Sequence, residues 1–193
     1  MNRCKWVKLS NPLYVEYHDT EWSVPVFDDQ KLFEFIILEG AQAGLTWETI
    51  LKRRESYRKA FKNFDPLKVA KMGEKDVERL MGDAGIIRNK LKIKSAINNA
   101  RCFLNVQNEF DSFSNYMWGF VKGKPIQNKW KSTDAIPAQT NIAEQLSKDM
   151  KKRGFTFFGP TICYAHMQAV GMVNDHTIDC YRYTSVSRMH KDV

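Results

Sequence analysis

The chain has 193 residues, 43% hydrophobic and 27% charged, with a net charge of +8 and four cysteines. That length suits one domain with a sizeable core, and the composition excludes disordered, collagen-like and disulfide-scaffold classes. No apolar run approaches the roughly 20 residues of a membrane span, and the opening MNRCKWVKLS lacks the apolar core of a secretory signal.

A cytoplasmic protein with reduced thiols and no membrane partner is therefore expected. The positive charge is clustered, in KRRESYRK from Lys52, RNKLKIK from Arg88, KGKPIQNKWK from Lys122 and KDMKKR from Lys148. Solvated helix faces account for some of these, but four clusters in one small domain favour an anionic partner such as nucleic acid.

In chain order, helical periodicity predicts helices over 29–40, 46–61, 66–72, 74–84, 89–106, 112–121, 141–153 and 160–172. Thr46, Asp65 and Asn89 stand at sensible N-caps, and Gly40, Gly73, Gly154 and Gly171 stand where helices would end. Alternating strand patterns are nearly absent, so an all-α fold is predicted. Residues 123–139, polar and with two prolines, read as a long loop within a single domain spanning 1–193.

The first helix poses a question. LFEFIIL is strongly apolar, yet Glu39 follows it on the stripe of Leu32, Phe35 and Ile36, at the helix end that repels carboxylates. An acid capping or pairing with a nearby Arg or Lys is the ordinary explanation. For Trp6, Trp22 and Trp47 the ordinary explanation is core packing.

Residues 74–106 read as helix, tight turn, helix, with Val77, Leu80 and Met81 lining the first helix and Leu91, Ile93 and Ile97 as apolar positions on the second. The turn AGIIRNK carries Gly85, expected in left-handed geometry, and Asn89 as N-cap, flanked by Arg88 and Lys90. A helix amino terminus flanked by cations can grip a phosphate, as in a helix-hairpin-helix, although a plain antiparallel helix pair fits the pattern equally.

HTIDC places His176 and Cys180 four apart, as zinc ligands often are, and Cys4 and His18 offer a second thiol and imidazole near the start. Together they have the composition of a closed Cys₂His₂ site, but no spacing rule joins the halves and two unrelated core pairs fit as well. Cys102 and Cys163 read as buried small hydrophobes.

RCKW, NPLYVEYHDTEWSVP, LFEFIILEGAQAGLTWETILKRRESYRKAF, DAGIIRNKLKI, SKDMKKRGFTFFGPTICYAHMQAVGMVNDH and the closing DC, in this order, closely resemble the 3-methyladenine DNA glycosylase I family from the start to about Tyr181. The resemblance implies a helix-hairpin-helix glycosylase of base-excision repair, with the hairpin at about 74–106. Such an enzyme hydrolyses the N-glycosidic bond of 3-methyladenine in alkylated double-stranded DNA, releases the free base and has no lyase activity. It implies one structural zinc ion stapling 1–20 to 174–182 through Cys4, His18, His176 and Cys180. It further implies a base pocket with Glu39 as the catalytic carboxylate and a base contact, Tyr17 as a second polar contact and Trp47 as a stacking platform, bordered by Trp6, Tyr14 and Trp22. Gly44 and Leu45 match the segment approaching the gap left by the extruded nucleotide, and Gly85, Arg88, Asn89 and Lys90 are the expected hairpin contacts to DNA. Water, with no Schiff base, is the expected nucleophile.

Two departures stand out. Ser23 replaces a glycine in the family's WGVP, which costs stability if that backbone needs positive φ. The tail, 183–193, has no counterpart in the family, so flexibility is expected there and His190 is not expected to be a ligand. A monomer is expected. The competing function is a non-catalytic helix-hairpin-helix module that binds DNA or lesions; a zinc hydrolase is disfavoured because four protein ligands leave no position for water.

Overall fold

The computed structural model describes residues 1–189, so His190 and the remainder of the tail lie outside the described residues. Among the described residues, eleven α-helices, two short 3₁₀ helices and one pair of two-residue parallel strands make up the regular structure. The all-α expectation is met.

α1 (Pro12–Thr20), which periodicity alone did not reveal, starts at Asn11, whose side chain accepts from the Leu13 amide at 3.1 Å. Pro12 lies in the first turn, where its missing N–H is no loss. α2 (Asp29–Gln42) is the central helix: nine of its fourteen residues are buried, all around its circumference. It continues past the predicted end, so Gly40 lies inside it rather than terminating it. Lys92 meets its last carbonyls instead, donating to the oxygens of Ala41 at 2.9 Å and Ala43 at 2.6 Å.

The helix predicted over 46–61 is two helices, α3 (Trp47–Leu51) and α4 (Arg54–Ala60). The break at Arg53 serves long-range contacts that periodicity cannot register. Arg53 donates to the Ala84 carbonyl at 2.7 Å, while Arg54 reaches Glu34 at 2.7 Å and forks onto Glu21 at 2.7 and 2.8 Å. Glu34, buried in α2, is thereby paired rather than left as a lone charge.

α5 (Pro66–Ala70) and α6 (Glu74–Gly82) pack on α7 (Lys90–Phe110), which also lies against α2 and α8 (Phe113–Gly119). Asp29, in the first turn of α2, accepts from the amides of Phe113 and Ser114 at 2.8 Å, capping α8 from across the core. α9 (Asn141–Lys152) packs on α10 (Pro160–Ala169), and α10 packs on α2. Within the long loop, β1 (Ile126–Gln127) pairs with β2 (Val173–Asn174), which follows α10.

Beyond Tyr181 the expected flexible segment is, over residues 183–187, part of α11 (Tyr181–Ser187). Val186 anchors that helix in the interior. The Tyr183 carbonyl also accepts from Asn174 Nδ2 at 3.2 Å, so the segment packs against β2.

Ser23 has φ 63° and is fully buried, and its hydroxyl has no hydrogen-bond partner. The surrounding backbone fixes that conformation: the Ser23 amide donates to the Gln168 carbonyl at 2.9 Å, and that of Val26 to the Val170 carbonyl at 3.0 Å. Gly171 stands opposite with φ 72°, where a Cβ would lie 2.3 Å from the Val24 carbonyl carbon. Two segments of main chain touch here, and no side chain fits between them.

Candidate functional site

The turn between α6 and α7 is held from the side by α4. The Gly85 amide donates to Asp83 at 2.7 Å, and that of Ile87 donates to the Tyr57 hydroxyl at 3.1 Å. Gly85 is not left-handed, contrary to the sequence expectation. It is needed because a Cβ would lie 2.8 Å from the Ser56 side chain. Asn89 caps α7, accepting from the amides of Leu91 and Lys92 at 3.0 and 3.1 Å. Arg88, Asn89 and Lys90 are exposed together at that helix start. Of the apolar positions on this helix, Leu91 is exposed beside them, whereas Ile93 and Ile97 are buried.

The two ends of the chain meet in the interior. Cys4, His18, His176 and Cys180 are all buried, and their ligand atoms lie within 4.8 Å of one another. Cys4 Sγ and Cys180 Sγ are each 3.5 Å from His176 Nδ1, and Cys180 Sγ is 3.5 Å from His18 Nε2. A tetrahedral zinc with ordinary Zn–S and Zn–N bonds separates sulfur from nitrogen by about 3.5 Å, so the donor set fits the ion without rearrangement.

Both imidazoles are oriented by their other nitrogen. His18 Nδ1 donates to Asp19 at 2.7 Å, and Asp19 is itself clamped by Arg3 at 2.7 to 3.1 Å. His176 Nε2 donates to the Trp22 carbonyl at 3.2 Å. These partners fix the tautomers that present Nε2 of His18 and Nδ1 of His176 to a metal. The site is a closed Cys₂His₂ structural zinc site, with all four ligands where the sequence put them.

Against this zinc site stands an aromatic wall. Trp6 packs edge-on to Trp22 at 4.9 Å and to Tyr14 at 5.8 Å, and its ring centroid is 5.4 Å from that of His18. Tyr17 lies 5.4 Å from Trp47, which stacks on Phe35 at 6.5 Å. Trp6, Tyr14, Tyr17, Trp22, Trp47 and Glu39 all line one cavity of 340 Å³. The six residues assigned to a base pocket thus converge from α1, α2, α3 and the segments beside them.

Glu39 is 4% exposed and has no hydrogen bond or ion pair among the described residues. Burial alone pushes its pKa up to about 8. Neither ordinary explanation applies, since it caps no helix and pairs with no cation. Burial, and then the nearby Glu39 charge, also raises the Tyr17 hydroxyl well above its usual range, so Tyr17 remains a proton donor. Three further buried polar atoms of lining residues have no partner: Nε1 of Trp6, Nε1 of Trp47 and Oγ1 of Thr133. The cavity is apolar and aromatic with a few unpaired polar groups, the composition of a small-molecule site.

Glu39 also lines an adjoining cavity of 170 Å³ with Gly44, Leu45, Thr161 and Ala165. The Gly44–Leu45 turn therefore lies beside the pocket, and Leu45 is 40% exposed. Gln42, Thr133, Ile136, Pro137, Thr161, Tyr164 and Gln168 are lining residues that the sequence reading missed. Only the polar loop containing 133–138 carried a signal, its unusual length, which often marks a binding loop.

Comparison with known proteins agrees with this geometry. A family model described as Methyladenine glycosylase matches residues 6–183. The chain is 52% identical to DNA-3-methyladenine glycosylase 1 of Escherichia coli (strain K12), over 95% of this chain and 97% of that protein. A crystal structure of 3-methyladenine DNA glycosylase I superposes with a TM-score of 0.91 at 51% identity, covering 93% of this chain and 98% of the other. A Tyr-to-Phe variant of 3-methyladenine DNA glycosylase I in complex with 3-methyladenine superposes at 0.92 with 35% identity, covering 99% and 100%. The chain belongs to the methyladenine glycosylase family, and its fold is the helix-hairpin-helix glycosylase fold.

Proposed function

We propose that the protein is a monofunctional glycosylase that extrudes 3-methyladenine from alkylated double-stranded DNA and hydrolyses its N-glycosidic bond. The observation that carries the reading is Glu39, a buried carboxylate without a protein partner in a cavity walled by Trp6, Trp22 and Trp47. A target base is out of reach inside a duplex and must be flipped into such a cavity. Methylation at N3 makes adenine cationic, and a cationic ring favours both indole faces and a carboxylate. The ligand thus supplies the charge that Glu39 lacks.

The roles of the residues follow. Trp47 stacks on the ring, Glu39 accepts from the exocyclic amine and attracts the positive ring, and Tyr17 offers its hydroxyl. Guanine presents a carbonyl where adenine has its amine, so the carboxylate repels it. Leu45 fills the gap in the duplex, while Arg88, Lys90 and the capped start of α7 hold phosphates.

The chemistry asks little of the protein. Water attacks C1′ and the C1′–N9 bond breaks. Its electron pair neutralises the methylated ring, which leaves as the free base, and the attacking water gives up a proton to solvent, leaving a hydroxyl on C1′. Glu39 stands by as a carboxylate to stabilise the positive charge as it moves from the ring to the sugar. Zinc acts only as a clamp, tying the two chain ends behind the aromatic wall. The protein acts as a monomer.

Incubation of the zinc-loaded protein with methylated duplex DNA, followed by chromatography of what is released, tests the proposal. Free 3-methyladenine with 7-methylguanine retained is the expected result. Salt-dependent duplex binding with no base released would instead indicate a passive lesion-binding module.

A further inference from the structure

Residues 122–140 form one wall of the base cavity, yet none of them is buried. This segment's apolar contact with the core is limited to the half-buried Ile126 and Ile136, so polar ties carry much of its placement. The Trp130 carbonyl accepts from the Ile178 amide at 2.9 Å and Gln127 Oε1 accepts from Asn174 Nδ2 at 2.9 Å, and two larger sets of ties stand beside these. One is the short β1–β2 pairing, with the Ile126 amide donating to the Met172 carbonyl at 2.9 Å. The other converges on Asp175.

Asp175 is fully buried, and no ion pair joins it to a cation among the described residues. Its carboxylate accepts four hydrogen bonds instead. Oδ1 takes Asn128 Nδ2 and Trp130 Nε1, both at 2.7 Å, and Oδ2 takes the Tyr164 hydroxyl at 2.6 Å and Gln168 Nε2 at 2.8 Å. Asn128 and Trp130 belong to the loop whose Thr133, Ile136 and Pro137 line the cavity, whereas Tyr164 and Gln168 line it from α10. A buried carboxylate is costly unless its lone pairs are satisfied, and here the donors that satisfy it come from two separate walls.

We propose that Asp175 is a positioning residue for base recognition, one oxygen holding the 128–138 loop and the other holding α10, so that the two walls keep a fixed separation. The Thr133 hydroxyl, buried in that loop without a partner, is thereby held at the cavity. This inference rests on the reading of the Glu39 cavity as the base pocket.

The test compares the wild-type chain with Asp175→Asn and Trp130→Phe, all zinc-loaded. Asp175→Asn replaces one acceptor oxygen with an NH2 group, so the two donors facing that oxygen must reorient or go unpaired. Trp130→Phe removes a single side-chain donor and leaves the main-chain bond from the Ile178 amide to the carbonyl of residue 130 in place, and the zinc content shows whether the ligand segment is disturbed. Zinc per chain, the Kd for free 3-methyladenine, and kcat and KM on methylated duplex are measured. We expect one zinc in each variant and kcat within about twofold, with Kd and KM raised about fivefold in Trp130→Phe and tenfold or more in Asp175→Asn.

Wild-type Kd in both zinc-loaded variants overturns the proposal, as does a fall in kcat alone that tracks lost folded protein. If Asp175→Asn does not fold, Trp130→Phe decides. If the wild type neither releases nor binds 3-methyladenine, the reading of the cavity has failed, a result seen before any variant is compared.

Discussion

His176 Nε2 and the Trp22 carbonyl are 3.2 Å apart, so one hydrogen bond joins a zinc ligand to the aromatic wall of the cavity. The rings of the two residues are also in edge contact at 4.8 Å. Removing zinc should therefore be felt in the pocket as well as in the fold. We expect one tightly held zinc per chain by elemental analysis. Stripping it with a chelator should lower the unfolding temperature by about 10 °C or more and weaken binding of free 3-methyladenine. Zinc-free protein of unchanged melting temperature and base affinity would show that the four residues are ordinary core.

Glu39 gives a pH signature. Its folded pKa of about 8 lies above the ordinary glutamate value of 4.5, so the native state binds more protons than the unfolded chain between these values. Stability therefore falls as pH rises from 4.5 through 8, by up to roughly 5 kcal/mol for this group alone. Glu39→Gln should remove that loss, so that its stability advantage over wild type grows between pH 5 and pH 8 in denaturant unfolding. A constant difference across that range would place the carboxylate in a solvated setting.

The same ionisation sets affinity for the positively charged base. Binding to duplex containing 3-methyladenine should strengthen with pH toward 8, by up to about tenfold per unit, as the carboxylate ionises. Glu39→Gln should bind more weakly at pH 8 and show no such trend. The comparison is a binding titration at several pH values with each protein.

Ser23 and Gly171 predict opposite outcomes at one backbone junction. Ser23→Gly relieves a left-handed serine and removes an unpaired hydroxyl, and should stabilise by about 1 kcal/mol. Gly171→Ala drives a methyl into the Val24–Pro25 main chain and should cost at least about 3 kcal/mol. Chemical denaturation of both variants checks the signs.

Arg88 and Lys90 are exposed at the start of α7, away from the cavity lining. Changing either to Ala should reduce the slope of log K against log salt by about 1 for duplex binding. Affinity for free 3-methyladenine should not move. A variant that loses free-base affinity as well would tie the hairpin to the pocket rather than to phosphate.

Much of this protein was legible in its residues. The 3.6-residue period located α6 to α9 because one-sided apolar burial leaves a local repeat, and the N-caps Asp65 and Asn89 showed in the sequence because capping acts over two or three residues. Glu39 drew attention because an acid on an apolar stripe conflicts with its own surroundings. The long motifs then joined Cys4 and His18 to His176 and Cys180, which no spacing rule could do.

Tertiary structure alone decided the rest. The helix over 46–61 breaks at Arg53 because distant groups, Ala84, Glu34 and Glu21, take up its arginines. Gly85 is small for the sake of Ser56, not for its own backbone angle. Gln42, Thr133 and Gln168 reach the cavity, and Asp175 ties two of its walls together, only once the chain has folded. A hydrogen bond or a close approach between residues far apart leaves no periodic trace, so local pattern fixes helices and caps while the meeting of remote segments makes the site.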